Sequence, residues 1–343
     1  MIEDNSILNQ LYDHSINHRI ESMKKKAKGA IFIAGRLALF GQMTVFYAAP
    51  GTGKTLITLK LIAEAIANKT IGKHVYHINL DDTYEGLITK AELGNHYGFQ
   101  VLSSDVFTNP QDNFKQLVNK LIEEDTAREA VFILDTIKKF VDVMDKKSSS
   151  LFMDTCRRLT TAGGSIIALA HVNKNKSAGN GSIPAGTSDV LDDCDCAYVM
   201  DVLQAENQDN NCQEFTIEFT SKKSRGPVAP SAIYTYTRSA DDDYISMFNS
   251  VKLLNGNEAD EARKAKMIRY QQQKDELEIK EITNILKQPG QHTQKEILEK
   301  VPNTCTRRNT IDCLKQWSIP KEDGGLWHIT KGANNSNIYS LTS

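Results

Sequence analysis

Short apolar runs alternate with longer amphipathic segments between about residue 43 and residue 253 of the chain. Four runs have the length and composition of buried strands, namely Met43–Ala49, His74–Leu80, Ala130–Leu134 and Ser165–Ala170. Three segments between them carry apolar residues at helical spacing, namely Thr55–Ala67, Phe114–Asp125 and Phe152–Thr161. This alternation predicts an α/β fold in which helices cover both faces of a mostly parallel, twisted sheet.

The segment Glu214–Thr220 has a different pattern, because apolar and polar residues alternate along it. Phe215, Ile217 and Phe219 would share one face of a half-exposed strand. Since such alternation is typical of antiparallel pairing, we expect this segment to extend the sheet with an antiparallel strand.

The rest of the chain divides into smaller parts. We expect a helical segment at residues 1–27, the α/β core at 28–254, a linker helix at 255–274 and a separate small unit at 275–343. The small unit has three short amphipathic segments followed by two strands that flank residues 331–336; the amphipathic segments are Ile279–Leu286, Thr293–Lys300 and Thr306–Trp317. This order predicts a small C-terminal winged helix-turn-helix domain.

In a winged-helix domain the third helix would be the recognition element. Arg307, Arg308 and Lys315 on that helix, and Lys331 in the wing, are candidate DNA-binding residues. A protein–protein module can have the same shape, and many Glu residues leave the unit only locally basic. The pattern therefore predicts the shape and leaves the partner, DNA or protein, open.

Composition narrows the function classes. The chain has 343 residues, with 41 Lys and Arg against 43 Asp and Glu, so any attraction to nucleic acid must come from a local basic surface. The N-terminal residues are polar and acidic, and apolar runs are shorter than the roughly 20 residues that span a bilayer. Its six cysteines are scattered without a zinc or disulfide pattern. We expect reduced thiols, a cytoplasmic protein and no membrane partner.

The segment Ala48–Thr55 (AAPGTGKT) follows a predicted strand and opens a predicted helix. Its glycines let backbone N–H groups turn toward phosphates, and the helix N-terminus adds the positive end of its dipole. Lys54 can reach the β- and γ-phosphates, and the Thr55 hydroxyl can bind Mg²⁺. The predicted nucleotide-binding residues, for ATP with Mg²⁺, are Ala49, Pro50, Gly51, Thr52, Gly53, Lys54 and Thr55.

Carboxylates at the ends of two other predicted strands could complete this site. Asp135 ends an apolar strand in the manner of a Walker B element and would bind Mg²⁺ close to Thr55. Hydrolysis also needs a base that orients the attacking water. Asp81 is the first candidate for that base, Asp82 the second and Glu85 the third; an Asp here could instead cap a helix.

His171 lies at the end of the fourth predicted strand, where a side chain could sense whether the γ-phosphate is present. A single His at such a position can equally be structural. The residues alone leave both interpretations open.

Together these motifs resemble the RecA-type ATPases, and within them the RepA-like hexameric helicases of plasmids and phages, which are relatives of the DnaB replicative helicases. The resemblance covers about residues 28–240 and rests on AAPGTGKT, VFILDTIKKF, SIIALAHVNK, GTSDVLDDCD and TSKKSRGP. It implies a RecA-like core. The family has a Glu as its base where this chain has Asp81, and His171 matches the family's phosphate sensor.

The resemblance also implies residues that act between subunits. Lys223 and Arg225 match a Lys-x-Arg pair that reaches into the neighbouring subunit's phosphate site, where a guanidinium stabilises transferring charge. Without the resemblance, the same residues would be a solvated basic turn. A site completed between copies implies a ring with head-to-tail interfaces, and the family implies six subunits.

A loop rich in Asn, Ser, Gly and Lys spans residues 173–187. In the family, loops at this place face the ring's central pore, so Lys174 and Lys176 are candidates for contacts with single-stranded DNA. A surface loop without a ligand is the alternative.

We therefore expect an ATP-hydrolysing ring motor on single-stranded DNA, a replicative DNA helicase of a mobile element. The alternatives are a nucleotide-switched DNA-binding protein, recombination mediator or regulator without unwinding activity, and an ATPase module of a defence or signalling assembly.

Overall fold

The structure is a computed structural model. It describes residues 29–342 except residues 143, 173–187, 208–211 and 240–242, together with residues 17, 20 and 21. Most of the predicted N-terminal segment and the whole predicted loop at 173–187 therefore lie outside the described residues. The chain forms two compact units, which divide between Leu254 and Asn255.

The first unit consists of strands and helices that alternate along most of its length. Its strands are β1 (Phe32–Ala34), β2 (Ala38–Leu39), β3 (Met43–Ala48), β4 (Val75–Asn79), β5 (Gln100–Leu102), β6 (Val131–Asp135), β7 (Ser165–His171), β8 (Cys196–Asn207), β9 (Cys212–Lys223), β10 (Ser231–Ser239) and β11 (Lys252–Leu253). Its helices are α1 (Lys54–Ala67), α2 (Tyr84–Tyr97), α3 (Pro110–Glu123), α4 (Lys146–Thr161), α5 (Ser188–Asp193) and α6 (Tyr244–Ser250).

Nine of these strands form one sheet in the order β11-β10-β9-β8-β3-β7-β6-β4-β5. The six strands from β8 to β5 are parallel, and β9, β10 and β11 add to the sheet by antiparallel pairing. The predicted α/β fold with a mostly parallel sheet is confirmed. The predicted antiparallel strand Glu214–Thr220 is also confirmed, as the middle of β9.

Sequence analysis did not assign β8 or β10. The reason is visible along β8, whose first five residues are buried while most of its last five are exposed or half-buried. A strand that begins in the core and continues beyond it shows neither a uniform apolar run nor a regular alternation.

The core lies on both faces of the sheet. Alternate residues of β3 point to opposite faces, as the period of a strand requires. Phe46 packs in a cluster with the apolar face of α1, whereas Val45 and Tyr47 pack in a second cluster with residues of α3 and α4. Burial on both sides explains why the central strands are apolar throughout.

The second unit contains α7 (Gly256–Lys274), α8 (Glu276–Leu286), α9 (Gln294–Lys300), α10 (Arg307–Gln316), β12 (Trp327–Lys331) and β13 (Asn337–Leu341). The two strands pair antiparallel, and Thr293 forms a bridge to Ile338. Trp317 and Trp327 are buried in its core, and the Trp327 indole N–H donates to the Leu314 carbonyl at 2.9 Å. Helix α7 coincides with the predicted linker helix and belongs to this compact unit.

All six cysteines lie in the described part of the chain and are free thiols. Among the described residues, no helix combines the length and the apolar character needed to cross a membrane.

Candidate nucleotide-binding site

The loop between β3 and α1 forms one wall of a cleft of about 470 Å³. Gly51 and Gly53 adopt left-handed backbone conformations, with φ of 76° and 84°. A Cβ atom on Gly53 would lie 2.7 Å from Cε1 of Tyr236, so this position requires glycine for its conformation and for space. The loop therefore curls as predicted, at the carboxyl edge of the parallel strands.

Lys54 is the first residue of α1, and its side chain lines this cleft. It is 8% exposed, and its Nζ donates to the Ala170 carbonyl at 3.2 Å. Burial lowers the pKa of Lys54, and the nearby carboxylate of Asp135 opposes this shift. The ammonium is held at the end of β7, beside the loop.

Thr55 and Asp135 meet as the sequence predicts. The Thr55 hydroxyl donates to Oδ2 of Asp135 at 2.7 Å, although 80 positions separate the two residues in the chain. Burial alone would raise the pKa of Asp135, but hydrogen bonds from His77 and Thr55 and the charge of Lys54 hold it below its usual value. A hydroxyl and an ionised carboxylate in contact form a donor set that suits Mg²⁺.

His77 is the buried partner of Asp135 that sequence analysis missed. Its ring is 0% exposed, and Nε2 lies 3.3 Å from Oδ2 of Asp135. Strands β4 and β6 are neighbours in register, with His77 opposite Ile133 and Asn79 opposite Asp135. A histidine between Tyr76 and Ile78 in this buried strand was the signal in the sequence.

The two candidate bases have different surroundings. Asp81 is partly exposed and lies 3.5 Å from Nζ of Lys138 and 3.1 Å from Nζ of Lys139. Asp82 is in direct contact with Lys90 and accepts a hydrogen bond from the side chain of Asn79 at 3.3 Å. Burial would raise the pKa of Asp82, but its bonds with Lys90 lower it overall. Both carboxylates line the cleft.

The third candidate, Glu85, lies in the first turn of α2. Thr83 precedes that helix and caps it, because its side chain accepts a hydrogen bond from the Gly86 amide at 3.2 Å. The cap is therefore Thr83, and neither Asp81 nor Asp82 fills that role.

His171 lies at the carboxyl end of β7, opposite Ala48 of β3. Burial and then the positive charges of Lys54 and Lys138 lower the pKa of this His. Its Nδ1 atom is buried and has no hydrogen-bond partner among the described residues. The His171 ring lines the cleft.

The cleft is also lined by residues that sequence analysis did not select: Tyr236, Arg238, Tyr244 and Met247. They come from β10 and α6. The Tyr236 ring stacks on Phe215 at a centroid distance of 5.0 Å. The alternation of Tyr and Thr in Tyr234–Thr237 was a signal for this strand.

Lys223 and Arg225 lie outside the cleft. Nζ of Lys223 donates to the Leu191 carbonyl at 3.1 Å, and Nη1 of Arg225 donates to Oδ1 of Asp195 at 2.7 Å. Lys223 pairs with Ala197, which stands beside Val45 near the amino end of β3. The loop between β3 and α1 follows Ala48 at the carboxyl end of β3.

The candidate DNA-binding residues of the second unit are exposed: Arg307, Arg308 and Lys315 on α10, and Lys331 at the end of β12. Nζ of Lys331 donates to the side chain of Asn337 at 2.8 Å. Lys174 and Lys176 lie outside the described residues. DNA binding by all six of these residues stays a prediction.

Fold and cleft together define an α/β protein with a glycine-containing loop, a buried lysine and a hydroxyl–carboxylate pair at the carboxyl edge of its sheet. That edge is where ligands bind in open α/β folds. This arrangement can hold a chain of phosphates together with a divalent cation.

No protein-family model matches the chain, and no curated protein matches it in sequence. One similar solved structure is a KaiC-like protein from the hyperthermophilic archaeon Pyrococcus horikoshii, with 12% identity and a TM-score of 0.43 over 64% of this chain and 91% of that one. Another is the flagellar accessory protein FlaH from Methanocaldococcus jannaschii, with 11% identity and a TM-score of 0.42 over 64% and 92%. Scores of this size support no conclusion about this chain, and its function is inferred from the geometry of the cleft.

Proposed function

We propose that this chain binds ATP with Mg²⁺ in the cleft and hydrolyses it. The observation that carries the proposal is the 2.7 Å hydrogen bond between the Thr55 hydroxyl and the Asp135 carboxylate, beside the buried ammonium of Lys54. Side chains of these types hold Mg²⁺ and the phosphates in P-loop NTPases. The ion, when bound, would neutralise charge that develops on the phosphates.

Each group of residues in the cleft has a separate role in the hydrolysis that we propose. Backbone N–H groups of the loop hold the phosphates, and Lys54 exchanges its bond to the Ala170 carbonyl for a phosphate oxygen. Asp81 orients the attacking water, because its carboxylate is the more open of the pair and lies beside the ammonium groups of Lys138 and Lys139. His171 donates a hydrogen bond to the γ-phosphate.

We further propose that Lys223 and Arg225 act on the cleft of another copy, within a ring. Along the strand direction, Lys223 and Ala48 are three residues apart, which is about 10 Å. Across the sheet, two strand spacings of about 4.8 Å separate them. Both side chains are also bonded to residues 191–195. Lys223 and Arg225 thus lie away from the loop between β3 and α1 of their own chain. In a ring with head-to-tail interfaces, the same side chains can face the cleft of a neighbouring copy.

The partner we propose is single-stranded DNA. The activity we propose is DNA unwinding, by a protein that has a RecA-like core and serves as the replicative helicase of a mobile element. Support comes from the sequence resemblance and from the helix–helix–helix–hairpin order of the second unit, which suits a winged helix. The exposed residues Arg307, Arg308 and Lys315 give α10 a basic surface.

Purified protein should hydrolyse ATP in the presence of Mg²⁺, faster with single-stranded DNA, and should unwind a forked duplex. Lys54→Ala should abolish both activities, because the phosphates lose their buried cation. Lys60→Ala is the matched control, since Lys60 lies on the same helix and pairs with Glu64 outside the cleft. ATP hydrolysis that Lys54→Ala leaves intact would refute the site.

A second function fits the exposed basic face of α10, namely a nucleotide-switched DNA-binding protein that does not unwind. Sequence-specific duplex binding that changes with ATP, without strand separation, would favour it over a helicase. Such binding should weaken in Arg307→Ala and Arg308→Ala, whereas ATP hydrolysis should not change.

A further inference from the structure

A buried carboxylate lies directly before β8, at the sheet edge opposite the nucleotide cleft. Asp195 is 2% exposed, and its Oδ2 accepts the Met43 amide N–H at 3.0 Å. Its other oxygen, Oδ1, is 3.0 Å from Nη1 of Arg157 and 2.7 Å from Nη1 of Arg225. We call Asp195, Arg157 and Arg225 the Asp195 cluster. Two guanidinium groups from distant parts of the chain thus share one buried carboxylate.

The residues just before Asp195 bind Arg157 a second time and also bind Lys223. Nη2 of Arg157 is in contact with the Asp193 carbonyl. Nζ of Lys223 donates to the Leu191 carbonyl at 3.1 Å and is in contact with the Asp192 carbonyl. The C-terminal end of α5 is a favourable place for positive charge, because the helix dipole is negative there.

The cluster holds Arg225 in a defined place while leaving it accessible. The side chain of Arg225 is 61% exposed, although the carboxylate that binds it is buried. Charge-assisted hydrogen bonds to a buried carboxylate are strong, and losing their partners would leave an unpaired buried charge. Arg157 contributes a second positive charge, so the cluster as a whole carries one net positive charge at the surface.

We propose that Asp195 and Arg157 are positioning residues that hold Arg225 ready to enter the phosphate site of a neighbouring copy. The inference rests on the proposed function, because it takes Arg225 as the group that acts in that site. A positioned guanidinium loses less freedom on binding phosphate than an arginine on an unrestrained turn. Stabilisation of transferring charge depends on such placement.

The test uses rings that mix two inactive variants. Lys54→Ala subunits have no working cleft but can donate Arg225, and Arg225→Ala subunits have a working cleft but cannot donate. Mixing them should restore ATP hydrolysis at the boundaries where a donor faces a working cleft. We then place Asp195→Asn either in the donor or in the acceptor.

The expected result is asymmetric. Asp195→Asn in the donor should lower the restored rate about 10- to 100-fold, whereas the same change in the acceptor should leave it near the unmodified mixture. Arg157→Met in the donor should act in the same direction, and Arg158→Met, on the same helix but outside the cluster, is the control.

Three results would overturn the proposal. Equal losses from Arg157→Met in donor and acceptor would make the cluster merely structural, and this variant decides the matter if Asp195→Asn does not fold. A higher rate with either donor variant would make the cluster a restraint on Arg225. No restored activity on mixing Lys54→Ala with Arg225→Ala would refute the shared site itself, and the positioning role with it.

Discussion

His77 offers a sharp test of how Asp135, the carboxylate that we propose binds Mg²⁺, is held. Its Nε2 atom lies 3.3 Å from the Asp135 oxygen that also accepts the Thr55 hydroxyl, and the side chains of His77 and Asp135 are 0% and 7% exposed. The other ring nitrogen, Nδ1, has no partner among the described residues. Replacing His77 with Leu therefore removes one hydrogen bond to Asp135 and unpairs nothing else.

The size of the effect follows from that bond. A hydrogen bond to a charged group contributes about 1.5–3 kcal/mol, and both side chains of this one are buried. A free energy of 1.4 kcal/mol corresponds to a factor of ten in an equilibrium constant. We therefore expect the affinity for Mg²⁺ to fall roughly 10- to 100-fold, as it does for other residues that orient metal ligands. His77→Gln, whose amide can place a donor near the position of Nε2, should recover part of the loss.

The assay is a Mg²⁺ titration of the binding of a fluorescent ATP analogue. His77→Leu should weaken the Mg²⁺ dependence, whereas binding without the metal should stay close to wild type. His74→Leu is the control, because His74 precedes the same strand and lies near Glu129, outside the cleft. If His77→Leu folds with wild-type thermal stability and binds Mg²⁺ as tightly as wild type, the positioning role of His77 is wrong.

Two further predictions concern the carboxylates and the histidine of the cleft. Asp81→Asn should lower kcat about 10²- to 10⁴-fold and leave ATP binding intact. Asp82→Asn should instead lower the unfolding temperature, because the buried ammonium of Lys90 would lose its carboxylate partner; the reverse pattern would assign the base to Asp82. The pKa of His171 is lowered from 6.5 by burial and by Lys54, so the unfolded chain binds more protons than the folded chain just below pH 6.5. His171 therefore contributes stability that is present above pH 6.5 and is lost as the pH falls through the lowered pKa. Urea unfolding between pH 5 and 7 should show that the free energy of unfolding of His171→Gln depends less steeply on pH than that of the wild type. An unchanged pH dependence would contradict the lowered pKa.

The sequence by itself determined the conformation of the loop between β3 and α1 and the strands that lead to the cleft. Each is encoded within a few consecutive residues: Gly51 and Gly53 permit the left-handed turns, and continuous apolar runs mark strands that are buried on both faces. Asp135 could be predicted for the same reason, because the end of a parallel strand lies at the ligand-binding edge.

The tertiary structure alone decided which polar side chains meet in the cleft and which do not. His77 reaches Asp135 only because β4 and β6 are paired in one register, and a shift by one residue would turn it to the other face of the sheet. Likewise, Lys90 distinguishes Asp82 from Asp81 although nothing near the two aspartates in the sequence does so. Local patterns fix strands and turns, whereas contacts between distant residues depend on strand order and register, which no short segment encodes.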